Sequence, residues 1–348
     1  MDNVLGIIAE YNPFHNGHLY HLEKSKKGTN SKYSIAVISG NFTERGIPSI
    51  VDKWSKAKMA LSEGVDLVLE LPVVYSISSA ENFADGAINI LNSLKIVNKL
   101  SFGVECDDKE LLNLFADILY EEPKEFKEYL SIELKKGLSF PKARENAMKM
   151  YLPGKDISVL SSPNNILAIE YLKALKKYNS SIEINMVKRF GSEHNSLDIN
   201  EFSSSTAIRN LINSIKNSDD KKLDNVSNIS QLSSLIPKNS FSILQEKINS
   251  GEYIPSLDNF EKEILYVFRT LSIEEIRALP DVSEGLEYAI KNSANSCSNL
   301  NDFLNSLKSK RYTRNKNPTY FIVWTFTNFR RWYGFIQKYI SIYSYFRM

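Results

Sequence analysis

The alternation of short apolar runs with helical segments over the first two hundred residues is the feature that most constrains the fold. Helical periodicity separates the runs. Short continuous apolar strands between helices are typical of a parallel sheet that helices cover on both faces. The pattern therefore predicts an α/β, Rossmann-like sheet whose ligand lies outside the carboxyl ends of the strands. The predicted strands are Val4–Ala9, Tyr33–Ile38, Val65–Leu71, Lys99–Gly103 and Ile182–Val187.

Helical patterns fill most of the remaining chain. Residues 108–151 break the alternation with three consecutive helical stretches, which we interpret as a helical insertion. The Asn-, Ser- and Asp-rich stretch 217–234 is the best linker candidate. Further helices beyond it predict a helical second domain, so we expect a catalytic domain over 1–216 and a helical domain over 217–348. The predicted helices begin at Gly17 and span Asp52–Glu63, Ser79–Leu94, Leu111–Tyr120, Pro123–Lys136, Phe140–Tyr151, Asn164–Lys177, Ser203–Ile215, Phe260–Leu271 and Ile273–Ala278.

Composition excludes several classes of protein. With 43% apolar and 24% charged residues, the chain is not expected to be disordered. Two cysteines cannot build a disulfide framework, which indicates a reducing, cytoplasmic location. The first residues lack a basic region, and no stretch of 18 apolar residues occurs, so neither a signal peptide nor a membrane span is expected.

Charge is unevenly distributed along the chain. The formal net charge is only +2, but residues 301–348 contain nine Lys or Arg side chains against one acid. A basic end on a near-neutral body suits an anionic partner such as RNA, and a solvated basic tail is the alternative.

A cluster of histidines follows the first predicted strand and opens the first predicted helix. His15, His18 and His21 are three of the four histidines in the chain. Gly17 allows a ligand to approach the backbone, and the amino end of the helix offers N–H groups to a phosphate. Imidazoles at this point can hydrogen-bond a phosphate and offset charge that develops on phosphorus.

Other interpretations of this cluster are less well supported. The His-x-x-His spacing could bind zinc, but no cysteine or carboxylate pair is arranged to complete the ligand set. The histidines could instead simply pack the loop. The phosphate-binding pattern G-x-x-x-x-G-K-[ST] does not occur, which excludes P-loop chemistry.

A second candidate phosphate site lies far downstream, at the start of the predicted helix Ser203–Ile215. Its candidate residues are Ser204, Ser205, Thr206 and Arg209. Hydroxyls and amides at a helix start can bind outer phosphates, and the arginine can offset their charge. Alone, this pattern is also typical of an ordinary serine-rich helix cap.

The two motifs together resemble the HIGH-type nucleotidyltransferase superfamily, and the residues between them narrow the resemblance. The segments GIIAEYNPFHNGHLYHL, SGNFTERGIPSIVDKWSKAKMAL, GVDLVLELP, AENFADGAINIL, LSFGVE, SPNNILAIEYLKAL, KRFGSEHN and SSSTAIR are similar to the tRNA(Met) cytidine acetate ligase family. The resemblance runs from residue 1 to about Arg314. It implies an enzyme that makes acetyl-adenylate from ATP and acetate and then acetylates N4 of the wobble cytidine in elongator tRNA(Met).

The resemblance also implies which residues form the site. His15 and His18 would be catalytic, next to the phosphates. Asn165 adjoins Asn164, and the resemblance does not fully separate the two. Mg²⁺ is expected with the nucleotide, but no carboxylate cage or other dedicated metal site is visible. The implied ATP-binding residues are Ile7, Ile8, Ala9, Glu10, Tyr11, Asn12, Pro13, Phe14, His15, Asn16, Gly17, His18, Leu19, Tyr20, Gly103, Asn164 and Arg189.

Elements outside this set are candidates for contact with tRNA. The cations Lys308, Lys310, Arg311 and Arg314 cluster inside the region of resemblance. The loop 41–46 and the segment 52–54 follow the second strand, and we place them near the acetyl or cytidine end of the site, with core packing as the alternative for Trp54.

The chain departs from the family pattern in two places. Val104 stands where the family usually has a small hydroxyl residue, a change that a backbone contact at Gly103 would survive. Residues 315–348 no longer resemble the family, and 13 of the 37 residues from Tyr312 onward are aromatic. This tail suits either base stacking on RNA or an altered terminus with incidental composition, and we favour the altered terminus.

Two other functions stay open from the motifs alone. One is an adenylyltransferase that acts on a small phosphorylated metabolite, and the other is a non-catalytic tRNA-binding homologue. The helical insertion, the helical second domain and the basic cluster favour an RNA substrate. The presence of both histidines favours catalysis.

Overall fold

A single parallel sheet organises the amino-terminal part of the chain. The computed structural model describes residues 2–106, 108–189, 203–217, 224–250, 257–279, 282 and 285–307. Within these residues, five strands form the sheet in the order β3-β2-β1-β4-β5, and every neighbouring pair is parallel. The predicted parallel sheet is confirmed, with strand ends shifted by one or two residues. The strands are β1 (Asn3–Ala9), β2 (Ser31–Ser39), β3 (Leu67–Leu71), β4 (Lys99–Val104) and β5 (Glu183–Lys188).

Helices connect and cover the strands. Several begin where a short polar side chain accepts a backbone N–H, as Asp52, Ser79 and Asp108 do. None of the helices in the described ranges is long and apolar enough to cross a membrane. The helices are α1 (Asn16–Thr29), α2 (Lys53–Ser62), α3 (Val73–Ser76), α4 (Ala80–Ser93), α5 (Lys109–Glu121), α6 (Lys124–Lys135), α7 (Phe140–Tyr151), α8 (Pro163–Lys177), α9 (Ser205–Asn217), α10 (Asp224–Leu235), α11 (Lys238–Asn249), α12 (Glu261–Thr270), α13 (Ile273–Arg277), α14 (Leu286–Ser296) and α15 (Leu300–Ser306).

The two faces of the sheet are buried in different hydrophobic cores. Successive strand residues point to opposite faces, so Ile7 of β1 belongs to one core and Ile8 to the other. The core that contains Ile8 includes residues of α4, α5 and α8, and the core that contains Ile7 includes residues of α2 and α9. This double cover explains why the strands are continuously apolar.

The predicted linker is wrong from Asp224 onward, because residues 224–235 form α10. Leu232 of α10 and Leu244 of α11 belong to the same core as Leu5 of β1. Burial of these side chains against the sheet stabilises a helix that the polar composition does not favour. The helical insertion is observed as α5, α6 and α7.

A third core lies in the carboxyl-terminal part of the described chain. It joins residues of α12, α13, α14 and α15, and Phe268 and Phe303 pack in it with ring centroids 5.6 Å apart. The division into domains at residues 216 and 217 stays a prediction, and the cores group α10 and α11 with the sheet. Residues 308–348, which include the basic cluster and the atypical tail, lie outside the described residues.

Candidate active site

The candidate site lies at the carboxyl edge of the sheet, where β1 and β4 are neighbours at its centre. In this strand order the chain leaves β1 toward β2 on one side, and β4 leads to β5 on the other. Connections that depart in opposite directions open a crevice between the two strand ends, which is the usual ligand site of such sheets. The loop 10–15 and residues 103–105 border this crevice.

Aromatic packing fixes the loop that follows β1. Tyr11 adopts a left-handed backbone with φ of 48°, and a cis peptide bond joins Asn12 to Pro13. The buried Tyr11 and Phe14 rings lie 4.7 Å apart, and the His18 ring packs edge-on against Tyr11 at 4.9 Å. These ring contacts therefore hold the backbone that carries the histidines in place.

His15 and His18 form a reciprocal cap at the start of α1. The Gly17 N–H donates to His15 Nδ1 at 3.1 Å, and the His15 N–H donates to His18 Nδ1 at 3.2 Å. Because a backbone N–H can only donate, each Nδ1 is an acceptor, and each neutral ring carries its proton on Nε2. The two rings stack with centroids 3.7 Å apart. A Cβ at Gly17 would lie 3.0 Å from the His15 ring, so a side chain there would displace that ring by a few tenths of an ångström.

Burial keeps the second and third histidines neutral. Desolvation, helped by the charges of His15, Arg189, His21 and Lys56, holds the pKa of His18 well below its usual range. Desolvation, with a smaller effect of Arg189, lowers the pKa of His21 to about 4. His18 is thus a neutral donor through Nε2, and a bound phosphate would stabilise its protonated form.

His21, one turn after His18 on α1, reaches strand β4. Its Nε2 lies 3.4 Å from the Ser101 hydroxyl, which also donates to the Asn185 carbonyl at 3.0 Å. This polar network joins α1 to β4 and β5. In the described ranges of the chain, no group of three or more His, Cys, Asp or Glu side chains could hold a metal ion.

The serine-rich motif meets the histidine motif in space. His15 Nε2 lies 2.9 Å from the Ser205 hydroxyl, at the first residue of α9. Arg209 donates to the Asn12 carbonyl and to the Thr206 hydroxyl, both at 3.0 Å. The starts of α1 and α9 therefore converge, so two sets of helix N–H groups and two positive dipole ends face one region.

Ser203 and Ser204 contribute differently from Ser205. Both are buried, and the Ser204 hydroxyl accepts the Ala207 N–H at 3.1 Å, as a helix cap does.

Two neighbouring asparagines at the start of α8 make different contacts. Asn165 is buried, and its Oδ1 accepts the N–H groups of Glu105 at 3.0 Å and Cys106 at 3.1 Å. Asn164 is only partly buried and donates through Nδ2 to the Glu105 carboxylate. The backbone contacts give Asn165 a structural role and leave Asn164 as the asparagine nearer the surface of the crevice.

Gly103 and Arg189 lie together at the other side of the crevice. Gly103 pairs with Val187 across the sheet, and a Cβ at Gly103 would lie 3.3 Å from Arg189 Cγ. The Arg189 backbone N–H donates to the Val104 carbonyl at 3.0 Å. The charge of Arg189 is close enough to lower the pKa of both His18 and His21.

Sequence reasoning missed Lys56, a buried lysine of α2. Its Nζ donates to the carbonyls of Ser39 at 2.7 Å and Gly40 at 3.0 Å, and to the hydroxyls of Ser39 at 3.0 Å and Ser49 at 3.1 Å. It therefore fastens the end of β2 to the loop 40–50. Its position three and four residues before Met59 and Ala60, on the buried side of the helix, is the signal that could have revealed it.

The contact between Glu44 and Glu10 was not predicted from the sequence, although Glu10 belongs to the implied ATP-binding loop. The Glu44 N–H donates to Glu10 Oε1 at 2.6 Å, which ties the loop after β2 to the end of β1. Desolvation and the charge of Glu10 raise the pKa of Glu44 to about 7.

Two converging helix starts and a pair of histidines lie at the carboxyl end of the central strand of a parallel sheet. This arrangement defines a nucleotidyltransferase-type site. The family model for HIGH nucleotidyl transferases matches residues 2–323, a span that passes Arg314.

Comparison with known proteins identifies relatives of this chain within the nucleotidyltransferase class. The tRNA(Met) cytidine acetate ligase of Caldanaerobacter subterraneus subsp. tengcongensis is 46% identical over 314 residues, which are 90% of this chain and 75% of the relative. That of Clostridium acetobutylicum is 44% identical over 89% of this chain and 76% of the relative. The apo crystal structure of Thermotoga maritima TmcAL superposes with a TM-score of 0.85 at 38% identity, covering 93% of this chain and 75% of that chain. A second crystal structure of that protein, bound with alpha-thio ATP, gives a TM-score of 0.83 at 37% identity over the same shares. This chain belongs to the tRNA(Met) cytidine acetate ligase family of HIGH nucleotidyl transferases.

Proposed function

We propose that this chain is an ATP-dependent ligase that acetylates N4 of the wobble cytidine of elongator tRNA(Met) in the cytoplasm. The observation that carries the proposal is the hydrogen bond between His15 and Ser205, which joins both nucleotide motifs in a chain of this family. The relatives are named tRNA(Met) cytidine acetate ligases, and a related structure is bound with alpha-thio ATP.

In the first step, an acetate oxygen attacks the α-phosphorus of ATP, and pyrophosphate leaves. The chain supplies placement and charge stabilisation rather than a nucleophile. His15 and His18 are the donors nearest the phosphates, and Ser205, Thr206 and Arg209 extend the phosphate site from α9. Asn164 and Gly103 hold the nucleoside side of ATP against the end of β4, and Arg189 holds a phosphate or carboxylate.

Mg²⁺ on the nucleotide phosphates would supply further charge neutralisation. Without a cluster of ligating side chains in the described ranges, the phosphates themselves would be its principal ligands.

In the second step, the cytidine N4 amine attacks the acetyl carbonyl, AMP leaves, and the amine loses a proton. The cytidine must be presented by a single-stranded loop, because N4 is paired in a duplex. We place this loop over the carboxyl edge of the sheet, on the side of residues 40–54. The predicted contacts of Lys308, Lys310, Arg311 and Arg314 lie outside the described residues.

The test is transfer of labelled acetate to purified elongator tRNA(Met), with and without ATP. A tRNA with adenosine in place of the wobble cytidine is the control. We expect ATP-dependent label on the natural tRNA alone. Acetate-dependent exchange between ATP and pyrophosphate reports the first step separately. The absence of both reactions would overturn the proposal and favour the small-molecule adenylyltransferase or a non-catalytic homologue.

A further inference from the structure

Trp54 is displayed to solvent at the start of α2. Its exposed fraction of 74% is the highest among the large apolar side chains of the described residues. The Lys53 ammonium lies 5.4 Å from the centre of the indole ring. The structure thus excludes core packing for this tryptophan. Single exposed apolar side chains are common on proteins, so exposure alone does not assign a function to Trp54. Its position in the fold has to be considered as well.

The indole stands at the same edge of the sheet as the candidate active site. The Lys53 N–H donates to Asn41 Oδ1 at 2.8 Å, just past the end of β2, and Lys53 Nζ pairs with Glu70 of β3 at 2.6 Å. Adjacent strands are about 4.8 Å apart, so β3 lies about 10 Å from β1 along this edge. That distance is within reach of consecutive nucleotides of one loop.

Hydrogen bonds connect this position to the loop after β1. The Ile50 N–H donates to the side chain of Asn12 at 2.7 Å, and the Ser49 N–H donates to the Asn41 carbonyl at 2.8 Å. The segment that carries Trp54 is therefore fixed relative to the histidines.

The backbone under the indole is rigid. Asp52 Oδ1 accepts the N–H groups of Trp54 and Ser55, both at 3.0 Å. One turn further, the buried Lys56 anchors the helix to the end of β2 through four oxygen contacts. Because this backbone is anchored, only the side chain of Trp54 has to be ordered when a ligand stacks on it.

We propose that Trp54 is a stacking platform for a nucleobase that flanks the wobble cytidine in the anticodon loop. Single-stranded RNA is recognised by stacking of unpaired bases on aromatic side chains, with cations along the backbone. Trp54 offers the aromatic face, and the Lys53 ammonium, which also pairs with Glu70, lies beside it. The inference rests on the proposed function and adds the residue that would position the RNA substrate.

The experiment compares Trp54→Ala and Trp54→Phe in the full chain. Loss of one stacked base should lower kcat/KM for tRNA acetylation about tenfold or more in Trp54→Ala. Trp54→Phe should recover much of the loss. Acetate-dependent ATP–pyrophosphate exchange should stay at the wild-type rate in both, because the platform does not touch ATP.

Tyr33→Ala is the matched control. Tyr33 is also an exposed aromatic that follows a lysine, with Lys32 Nζ 5.1 Å from its ring, but it lies near the start of β2 at the opposite edge of the sheet. The kcat/KM of Tyr33→Ala for tRNA acetylation should equal that of the wild type.

Two results would overturn the platform. One is wild-type kcat/KM for tRNA in Trp54→Ala, and the other is an equal loss of exchange and transfer in that variant. If the wild-type chain shows neither reaction, the proposed function fails. Binding of the isolated anticodon stem-loop to wild type and Trp54→Ala then decides the platform by itself. A tenfold weaker binding by Trp54→Ala supports it, and equal binding refutes it.

Discussion

His15 Nε2 and the Ser205 hydroxyl lie 2.9 Å apart, although 190 residues separate them in the chain. His15 caps α1, and Ser205 opens α9, so one hydrogen bond holds two helix starts together. Helix starts attract anions through their unpaired N–H groups and their dipoles. The bond therefore brings together the two motifs that we propose bind the phosphates.

The first prediction separates the cap from the chemistry at His15. Asparagine is a good N-cap residue, so His15→Asn keeps the cap of α1, whereas His15→Ala removes it at a cost of about 1 kcal/mol. Both variants lose the Nε2 donor, and we expect acetate-dependent ATP–pyrophosphate exchange to fall about 100-fold or more in each. Thermal unfolding should show the larger loss of stability in His15→Ala.

The control for this prediction is Asn299→Ala. Asn299 caps α15, a helix of the third core, through a bond from the Asp302 N–H at 2.8 Å. This variant should lose stability and keep the exchange rate. Full exchange activity in His15→Asn would show that the ring does not contact the phosphates.

The second prediction distinguishes the adjacent asparagines of α8. Asn165→Ala leaves the partly buried N–H groups of Glu105 and Cys106 without their acceptor, which should lower the free energy of unfolding by about 1 kcal/mol. Asn164→Ala should leave stability almost unchanged and raise the KM for ATP, because this side chain lies nearer the crevice. Urea denaturation and exchange kinetics measure the two effects. A normal KM in Asn164→Ala would remove Asn164 from the nucleotide site.

Local patterns in the sequence determined what could be predicted. Continuous apolar runs predicted the strands, and the residues after the first run predicted the loop that carries His15 and His18. The hydroxyls of the downstream motif could be placed at a helix start because Ser and Thr favour that position.

Contacts between segments that are distant in the sequence could not be predicted from local patterns. Composition alone predicted a linker where α10 forms, because the stabilising contacts of Leu232 and Leu235 come from the far side of the core. Lysine is almost never fully buried, so nothing in its residue type suggested that Lys56 binds four oxygens of the β2 end and the following loop.

The third prediction concerns that buried lysine. Desolvation lowers the pKa of Lys56 to about 8, so the ammonium form still dominates at neutral pH. Lys56→Met replaces the aliphatic part of the side chain but leaves the Ser39 and Gly40 carbonyls without this donor. We expect the free energy of unfolding to fall by about 1–3 kcal/mol, measured by chemical denaturation. Acetyl transfer should fall with it, since loop 40–50 loses its anchor.

Lys58→Met provides the comparison on the same helix. Lys58 is exposed, so its replacement should change neither stability nor transfer. Equal stability of the two methionine variants would contradict an anchoring role for Lys56.

The fourth prediction is a pH dependence of stability that depends on His21. The folded pKa is about 4, against an ordinary value of 6.5, so the unfolded chain takes up a proton before the folded chain does. The stabilisation that neutral His21 contributes to the folded chain is therefore fully present above about pH 6.5, and it is lost as the pH falls toward about 4. His18 acts in the same direction. Glu44 opposes it, since a folded pKa of about 7 favours the protonated folded state as the pH falls from about 7 to 4.5.

Because these groups oppose one another, the wild-type melting temperature alone does not isolate His21. His21→Gln removes one titrating group and should flatten the decline of the melting temperature between pH 6.5 and 4.5. Lys27→Gln, on the exposed face of α1, should leave the decline as it is in the wild type. An unchanged decline in His21→Gln would mean that this imidazole titrates alike in the folded and unfolded chains, and its network with Ser101 would then not exclude the proton.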